Sequence, residues 1–340
     1  MPRLDDGNDL AAAADGAFVV RQLGSAPQIP TDEIGACNNC RSAEFEDFAV
    51  SQDYEFASCG NVFRFVRCRH CGLAWLHNRP ALSELSRIYS DEHSGYRNYR
   101  DYLGSFIASM RDRVQAGKID VFRRYAGTQA VIADVGCGEG VLLHLLRRRG
   151  PSGWTLIGVE FLEEFANALR ADGFLALQGR FETLEWDAPA PDVIIMNQVI
   201  EHLEDPQAVA ARARELLKPG GVFIVETPCL GSWDQRLFRD RWWGGWHTPR
   251  HWHLFTEETL RQTFERQGLV VEEITYLLNP WAWLQSLRFW LGRGVGWPRL
   301  GELFQVNSLP MVSAATAVDF VQRSLTGKTS NIRIVGRKEG

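Results

Sequence analysis

Ten residues, Val131 to Gly140, constrain this chain more than any others, and they act together with an acidic residue twenty positions further on. They read Val-Ile-Ala-Asp-Val-Gly-Cys-Gly-Glu-Gly, an apolar strand running into a glycine turn, and Val141 to Arg149 then continues with helical character. A second apolar run, Leu156-Ile-Gly-Val-Glu160, ends in a carboxylate. Glycines at 136, 138 and 140 let the backbone turn sharply and lie against a ligand with no Cβ in the way. A carboxylate closing the second strand can accept two hydrogen bonds from a ribose diol. The pattern therefore predicts a nucleoside pocket at the carboxyl edge of a parallel sheet.

The nucleoside is narrowed by what the loop lacks. A dinucleotide fingerprint needs a third glycine at position 141, where Val141 stands, and Asp134 is badly placed for a pyrophosphate. An acidic loop suits a cationic or zwitterionic ligand. The run Asp134 to Gly140 resembles motif I of class I S-adenosylmethionine (SAM) methyltransferases. That resemblance extends over roughly residues 129 to 278 and 330 to 338. It implies an α/β, Rossmann-like core with a seven-stranded sheet whose last strand, Asn331 to Arg337, inserts antiparallel between the fifth and the sixth (Val270 to Leu277). It also implies SAM as cofactor, with Asp134, Gly136 and Gly138 on the methionine moiety and Glu160 on the ribose. Phe181 and Glu182 would then lie at the adenine, and Asn197 and Gln198 beside the cofactor at the end of the fourth strand. Arg180 stands where the family often has an aspartate.

Seven cysteines include two C-x-x-C pairs, Cys37/Cys40 and Cys68/Cys71, around a strand-like segment from Val62 to Arg67. Two residues between thiols let both sulfurs of a tight knuckle face one ion, and four thiolates close a tetrahedral structural zinc site. Cys59 is a bystander on this reading, with His70 and His77 as weaker alternative ligands. The division expected along the chain is a disordered tail at 1–30, a zinc-ribbon module at 31–95, and a linking amphipathic helix at 96–128. A methyltransferase domain at 129–340 follows, with a Trp-rich insertion at 279–329. In the linking helix, Leu103 to Tyr125 recur at three-to-four spacing, and Tyr96, Tyr99 and Tyr102 precede it as entrance-lining candidates.

The chemistry needs alignment for in-line displacement and a base for the acceptor. Histidine is the natural base for an oxygen acceptor, because its ordinary pKa lies near neutrality. Glu201-His202 after the fourth strand matches a Glu-His step of ubiquinone-type methyltransferases. His247 and His251 lie in a second candidate loop, Arg241-Trp-Trp-Gly-Gly-Trp-His-Thr-Pro-Arg-His251. Nine of twelve tryptophans fall between 233 and 297, and this leaves three readings of the insertion: a packing element, an aromatic lid, or an interfacial membrane contact.

A net charge of -5 offers no general field for nucleic acid. No apolar run is long and charge-free enough to span a bilayer, and the amino terminus lacks a secretory pattern, so a cytoplasmic location is expected. The expected activity is methyl transfer to a small-molecule, glycan or lipid-linked acceptor, on oxygen ahead of carbon or nitrogen. A degenerate, SAM-binding interaction protein is the rival from another class.

Overall fold

The computed structural model describes residues 26–89, 117, 119–306 and 308–340. Most of the expected tail, the first part of the linking helix, and Tyr96, Tyr99 and Tyr102 lie outside the described residues. The chain forms two compact units that do not follow its linear order. The first combines the described part of Met1–Ser94 with Pro228–Thr256 and Tyr276–Asn331, and the second takes Gly95–Thr227, Glu257–Thr275 and Ile332–Gly340.

The first unit opens with β1 (Thr31–Glu33), β2 (Phe45–Ser51), β3 (Phe63–Cys68), β4 (Ala74–Leu76) and β5 (Asn78–Pro80). The strands β2, β3 and β4 form an antiparallel meander. A fourth strand completes that sheet from far along the chain, described below. Phe63 and Phe65 share one face of β3, whereas the consecutive Trp75 and Leu76 point to opposite faces of β4, and all four are fully buried.

The second unit carries β6 (Gln129–Val135), α1 (Val141–Arg149), β7 (Gly153–Glu160), α2 (Glu163–Ala171), β8 (Leu175–Gln178) and β9 (Val193–Asn197). Then come α3 (Pro206–Leu216) and β10 (Val222–Pro228). Asp205 caps α3 by accepting from the Gln207 and Ala208 amides, with Pro206 in the first turn. Residues 119–126 are helical, and Ile119, Val121, Phe122 and Ala126 are buried in the same apolar core as β6 and β9.

Between β10 and the next core element the chain enters the first unit with α4 (Trp233–Phe238) and β11 (His253–Leu254). β11 pairs antiparallel with β4, His253 against Trp75 and Leu254 against Ala74. The small sheet thus has the order β11-β4-β3-β2. After α5 (Glu257–Glu265) and β12 (Leu269–Leu277) the first unit takes α6 (Pro280–Phe289) and α7 (Leu309–Thr326), and β13 (Asn331–Lys338) returns to the large sheet.

That sheet has the order β12-β13-β10-β9-β6-β7-β8. Neighbours from β10 to β8 are parallel. β13 runs antiparallel to β10, since Cys229 donates to Ser330 while Lys338 and Gly221 bond at the other end. A buried ion pair, in which Arg333 Nε and Nη2 donate to the same Glu226 oxygen (Oε1) at 2.8 and 2.6 Å, fixes its register against β10. The order reverses between β6 and β9. A crevice at that reversal is where sheets of this class hold ligands, beyond the carboxyl ends of the strands.

Candidate cofactor site and cysteine cluster

The loops after β6 and β9 meet at the reversal. Gly136 has φ +68°, and a Cβ there would lie 2.6 Å from the Val199 side chain, so both conformation and space demand glycine. Gly140, at φ +71°, would collide with Leu169 of α2 at 2.3 Å. Asp134 is buried at the end of β6. Asn197 ends β9, and Gln198 after it is held at φ +57°, its amide donating to the Glu226 carbonyl. A non-glycine residue in that region costs energy, and such outliers cluster at functional sites.

Glu160 ends β7 with its carboxylate fixed by three backbone donors. Gly138 donates to Oε2 at 2.8 Å, and Phe161 and Leu162 donate to Oε1 at 2.8 and 3.1 Å. One of those donors comes from the glycine loop itself, so loop and carboxylate hold each other in place.

The adenine side is less simple. Phe181 is buried, 4% exposed, whereas Phe161, directly after Glu160, is 54% exposed. Phe161 did not emerge from the sequence reading. The signal was a large apolar residue immediately beyond a strand-end carboxylate. Glu182 is half-buried and lies 3.7 Å from Arg180, whose guanidinium pairs with Glu204 at 2.7 Å. The positive charge that replaces the family's usual acid is therefore neutralised locally.

Glu201 and His202 lie in a single 3-10 turn, Ile200–His202, directly after β9. Glu201 is fully buried and accepts from the Thr227 hydroxyl at 2.9 Å, with His202 Nε2 3.9 Å from its other oxygen. Burial pushes the Glu201 carboxyl up to about 8. A carboxyl that keeps its proton in the native state to about pH 8, but loses it near pH 4.3 when unfolded, favours folding most at low pH. That contribution is lost as pH rises from the unfolded value towards 8. Glu201→Gln preserves the shape and cannot ionise. Its stability relative to the parent should therefore rise between pH 5 and 8, by the order of a few kcal/mol, in thermal melts across that range. A flat difference would show that Glu201 ionises normally.

His247 and His251 belong to the first unit. His247 sits at φ +38° with Nδ1 2.7 Å from Glu55 Oε2, and Gln285 donates to the other Glu55 oxygen at 3.1 Å. His251 is buried, with Nδ1 2.9 Å from the Gly245 carbonyl, and its ring lies 4.9 Å from that of His247. Glu55, on the segment between the cysteine pairs, is a functional candidate that periodicity could not reveal, because it meets His247 across 192 positions.

The four cysteines converge. Cys37, Cys40, Cys68 and Cys71 have all four sulfurs within 4.8 Å of one another, with Cys37–Cys71 at 3.5 Å and Cys40–Cys68 at 3.4 Å. The knuckles are built alike. In each, the first cysteine donates to the residue five ahead and accepts from the residue four ahead, Arg41 in one and Gly72 in the other, both left-handed. Crowding of the sulfurs raises the Cys37 thiol and lowers that of Cys71, which accepts its hydrogen bond. His77 bonds instead to the Ile34 carbonyl and His70 is exposed beside Glu44, so neither joins the four-sulfur cluster. Cys59 is buried apart from it.

Comparisons with known proteins bear on the family and the fold. A family described as "Methyltransferase domain" matches residues 107–274. A ubiquinone biosynthesis O-methyltransferase of Cereibacter sphaeroides is 29% identical over 203 residues, 55% of this chain and 78% of that protein. One of Xylella fastidiosa is 31% identical over 114 residues, 32% of this chain and 45% of its own length. Among solved structures, a phosphoethanolamine N-methyltransferase of Haemonchus contortus in complex with SAM shares the fold, with a TM-score of 0.51. It is 14% identical, over 87% of this chain and 69% of that one. A glycine loop locked to a strand-end carboxylate at the reversal of such a sheet suits a nucleoside cofactor. The family match and these relatives support a class I SAM-dependent methyltransferase.

Proposed function

We propose that this enzyme methylates an oxygen atom of a small molecule, with glycans and lipid-linked precursors within its acceptor range. The observation that carries the cofactor half of this reading is the Glu160 carboxylate, pinned by the Gly138, Phe161 and Leu162 amides at the sheet reversal. So held, it keeps about one acceptor site, on Oε2, for a ribose hydroxyl, and the exposed Phe161 ring beside it offers a face for adenine. Asp134, Gly136 and Gly138 would receive the methionine moiety, an acidic and uncrowded loop for a zwitterion. Asn197 and Gln198 complete the crevice from β9, with Glu182 and the buried Phe181 behind it. The acceptor half rests on two relatives whose names specify O-methylation.

SAM, when bound, supplies an activated methyl group on a positively charged sulfur. The chain's own task is to align an acceptor and take its proton. His202 is the favoured base, because it belongs to the unit that carries the glycine loop and has Glu201 beside it. His247 is the second candidate. The Glu55 carboxylate against Nδ1 fixes the orientation of its ring. His251, held by the Gly245 carbonyl, would orient the loop around it.

The cysteine cluster fits a structural zinc ion. Zinc–sulfur bonds of about 2.3 Å place tetrahedral sulfurs about 3.8 Å apart, close to the separations here. Four thiolates leave no position for an acceptor, so the ion would hold the knuckles and take no part in methyl transfer.

Titration calorimetry with S-adenosylhomocysteine tests the cofactor assignment. Glu160→Ala should weaken binding by roughly 10–100-fold, the loss of a charge-assisted hydrogen bond to a ribose. Equal affinity in parent and variant would refute the role given to Glu160.

A further inference from the structure

The helix α7 is built inside out. Asp319 and Gln322 are fully buried, together with Ala315. Asp319 accepts from the Asn279 amide and the Trp283 indole, and Gln322 accepts from the Trp233 amide while donating to the Lys328 carbonyl. These contacts anchor α4, α6 and α7 to one another inside the first unit. The outward surface carries Leu309, Val318, Phe320, Val321 and Leu325, with Phe320 54% and Leu325 72% exposed. A surface helix in water has the opposite arrangement.

The width of the exposed face narrows what covers it. At 100° per residue the exposed side chains sweep roughly half the circumference, and none of them is charged. Pairing with a second copy needs only a narrow seam and leaves the remaining arc to water, where charges are ordinarily found. Here the hydroxyls also turn inward. Thr316, Ser324 and Thr326 each donate to the carbonyl four residues earlier, at 2.7, 2.8 and 2.8 Å, and need no water for that hydrogen.

Trp290 and Trp297 are exposed in the segment leading to α7. Between 290 and 328 the chain has four basic residues (Arg293, Arg299, Arg323, Lys328) and two acidic ones (Glu302, Asp319), a balance of +2 within a chain of -5. Asp319 is buried, and Glu302 is paired with Arg288 at 3.0 Å. Exposed tryptophans, the exposed cations Arg299 and Lys328, and the uncharged apolar face of α7 are the chemistry of the headgroup layer of an anionic bilayer.

We propose that α7 and residues 290–306 seat the protein on an anionic membrane surface, the helix lying in the interface. No helix among the described residues is long and apolar enough to cross a membrane, so the contact is peripheral. The assignment stands whether or not the methyl acceptor is itself a lipid.

Flotation of the purified protein with phosphatidylcholine vesicles, with and without phosphatidylglycerol, tests it. Binding to the phosphatidylglycerol vesicles, weakened by salt, is expected. Val321→Glu with Leu325→Glu should reduce it at least about tenfold, since two apolar side chains leave the lipid phase. Both positions are exposed, and unchanged S-adenosylhomocysteine affinity and melting temperature would show that the variant is folded. Failure of the parent protein to float with either vesicle would overturn the proposal. So would sedimentation showing a parent dimer that the double variant dissociates, which would assign the face to a second copy.

Discussion

Replacing Cys68 by serine should remove zinc from the protein and melt the small sheet that β11 completes. Metal analysis should find one zinc per chain in the parent and none in the variant. Tetrathiolate zinc contributes about 10–16 kcal/mol to the folding of isolated zinc modules, more than the whole stability of many domains. The sheet has its own apolar core, in which Trp246 lies against Phe65 with ring centres 4.6 Å apart, so part of that loss will be recovered. What remains should still be the largest effect of any single substitution in the first unit. Tryptophan fluorescence would report it directly, since Trp75, Trp243 and Trp246 are all fully buried there. A zinc-free parent with an unaltered melt in the variant would remove the metal from the account.

The second large effect is expected at Arg250. The side chain is fully buried, with one nitrogen 3.4 Å from Asp53, another donating to the Ile88 carbonyl at 2.8 Å, and its guanidinium over the Phe56 ring. Asp53 is also fully buried and accepts from the Phe56 and Ser58 amides and the Ser58 hydroxyl. Arg250→Met leaves that carboxylate without its cation in a dry interior. The expected loss is about 3–5 kcal/mol, which lowers the thermal midpoint by roughly 10 °C in a unit of this size. Arg250→Lys should lose less, because the charge remains while the planar fork is gone. Adding Asp53→Asn to Arg250→Met should restore part of the stability, since neither charge is then orphaned. A double variant no better than the single one would mean that the packing of Arg250, and not its charge, matters.

The parts of this molecule legible in its sequence are those with short-range signatures. Motif I and the two C-x-x-C knuckles each lie within a few residues, and the order of the core strands followed from the resemblance that motif I carries. Their physics, a forced glycine conformation or a pair of thiols facing one ion, is local. What escaped reading is long-range. Asp53 finds Arg250 and Glu55 finds His247 across nearly two hundred positions, and no periodicity announces either pair. The histidine-rich loop signalled chemistry through its composition, yet Arg250 within it is an anchor of the interior. The tryptophans split between two roles, with Trp243 and Trp246 buried while Trp290 and Trp297 are exposed. In α7 the apolar period is plain, but which side faces inward depends on Asp319 and Gln322, polar residues that a pattern-based reading places outside.

The pairing of β11 with β4 has a consequence for how this protein is made. The ribosome delivers Trp75 about 178 residues before its partner His253, at roughly 5–20 residues per second. For some ten to thirty-five seconds the nascent meander β2-β3-β4 therefore has an open edge at β4, with the face that Trp246 will cover still bare. Closing both cysteine knuckles early would give that fragment a fixed shape while it waits, and a cell short of zinc would leave it a sticky intermediate, exposed to chaperones and proteases before the methyltransferase sheet is complete.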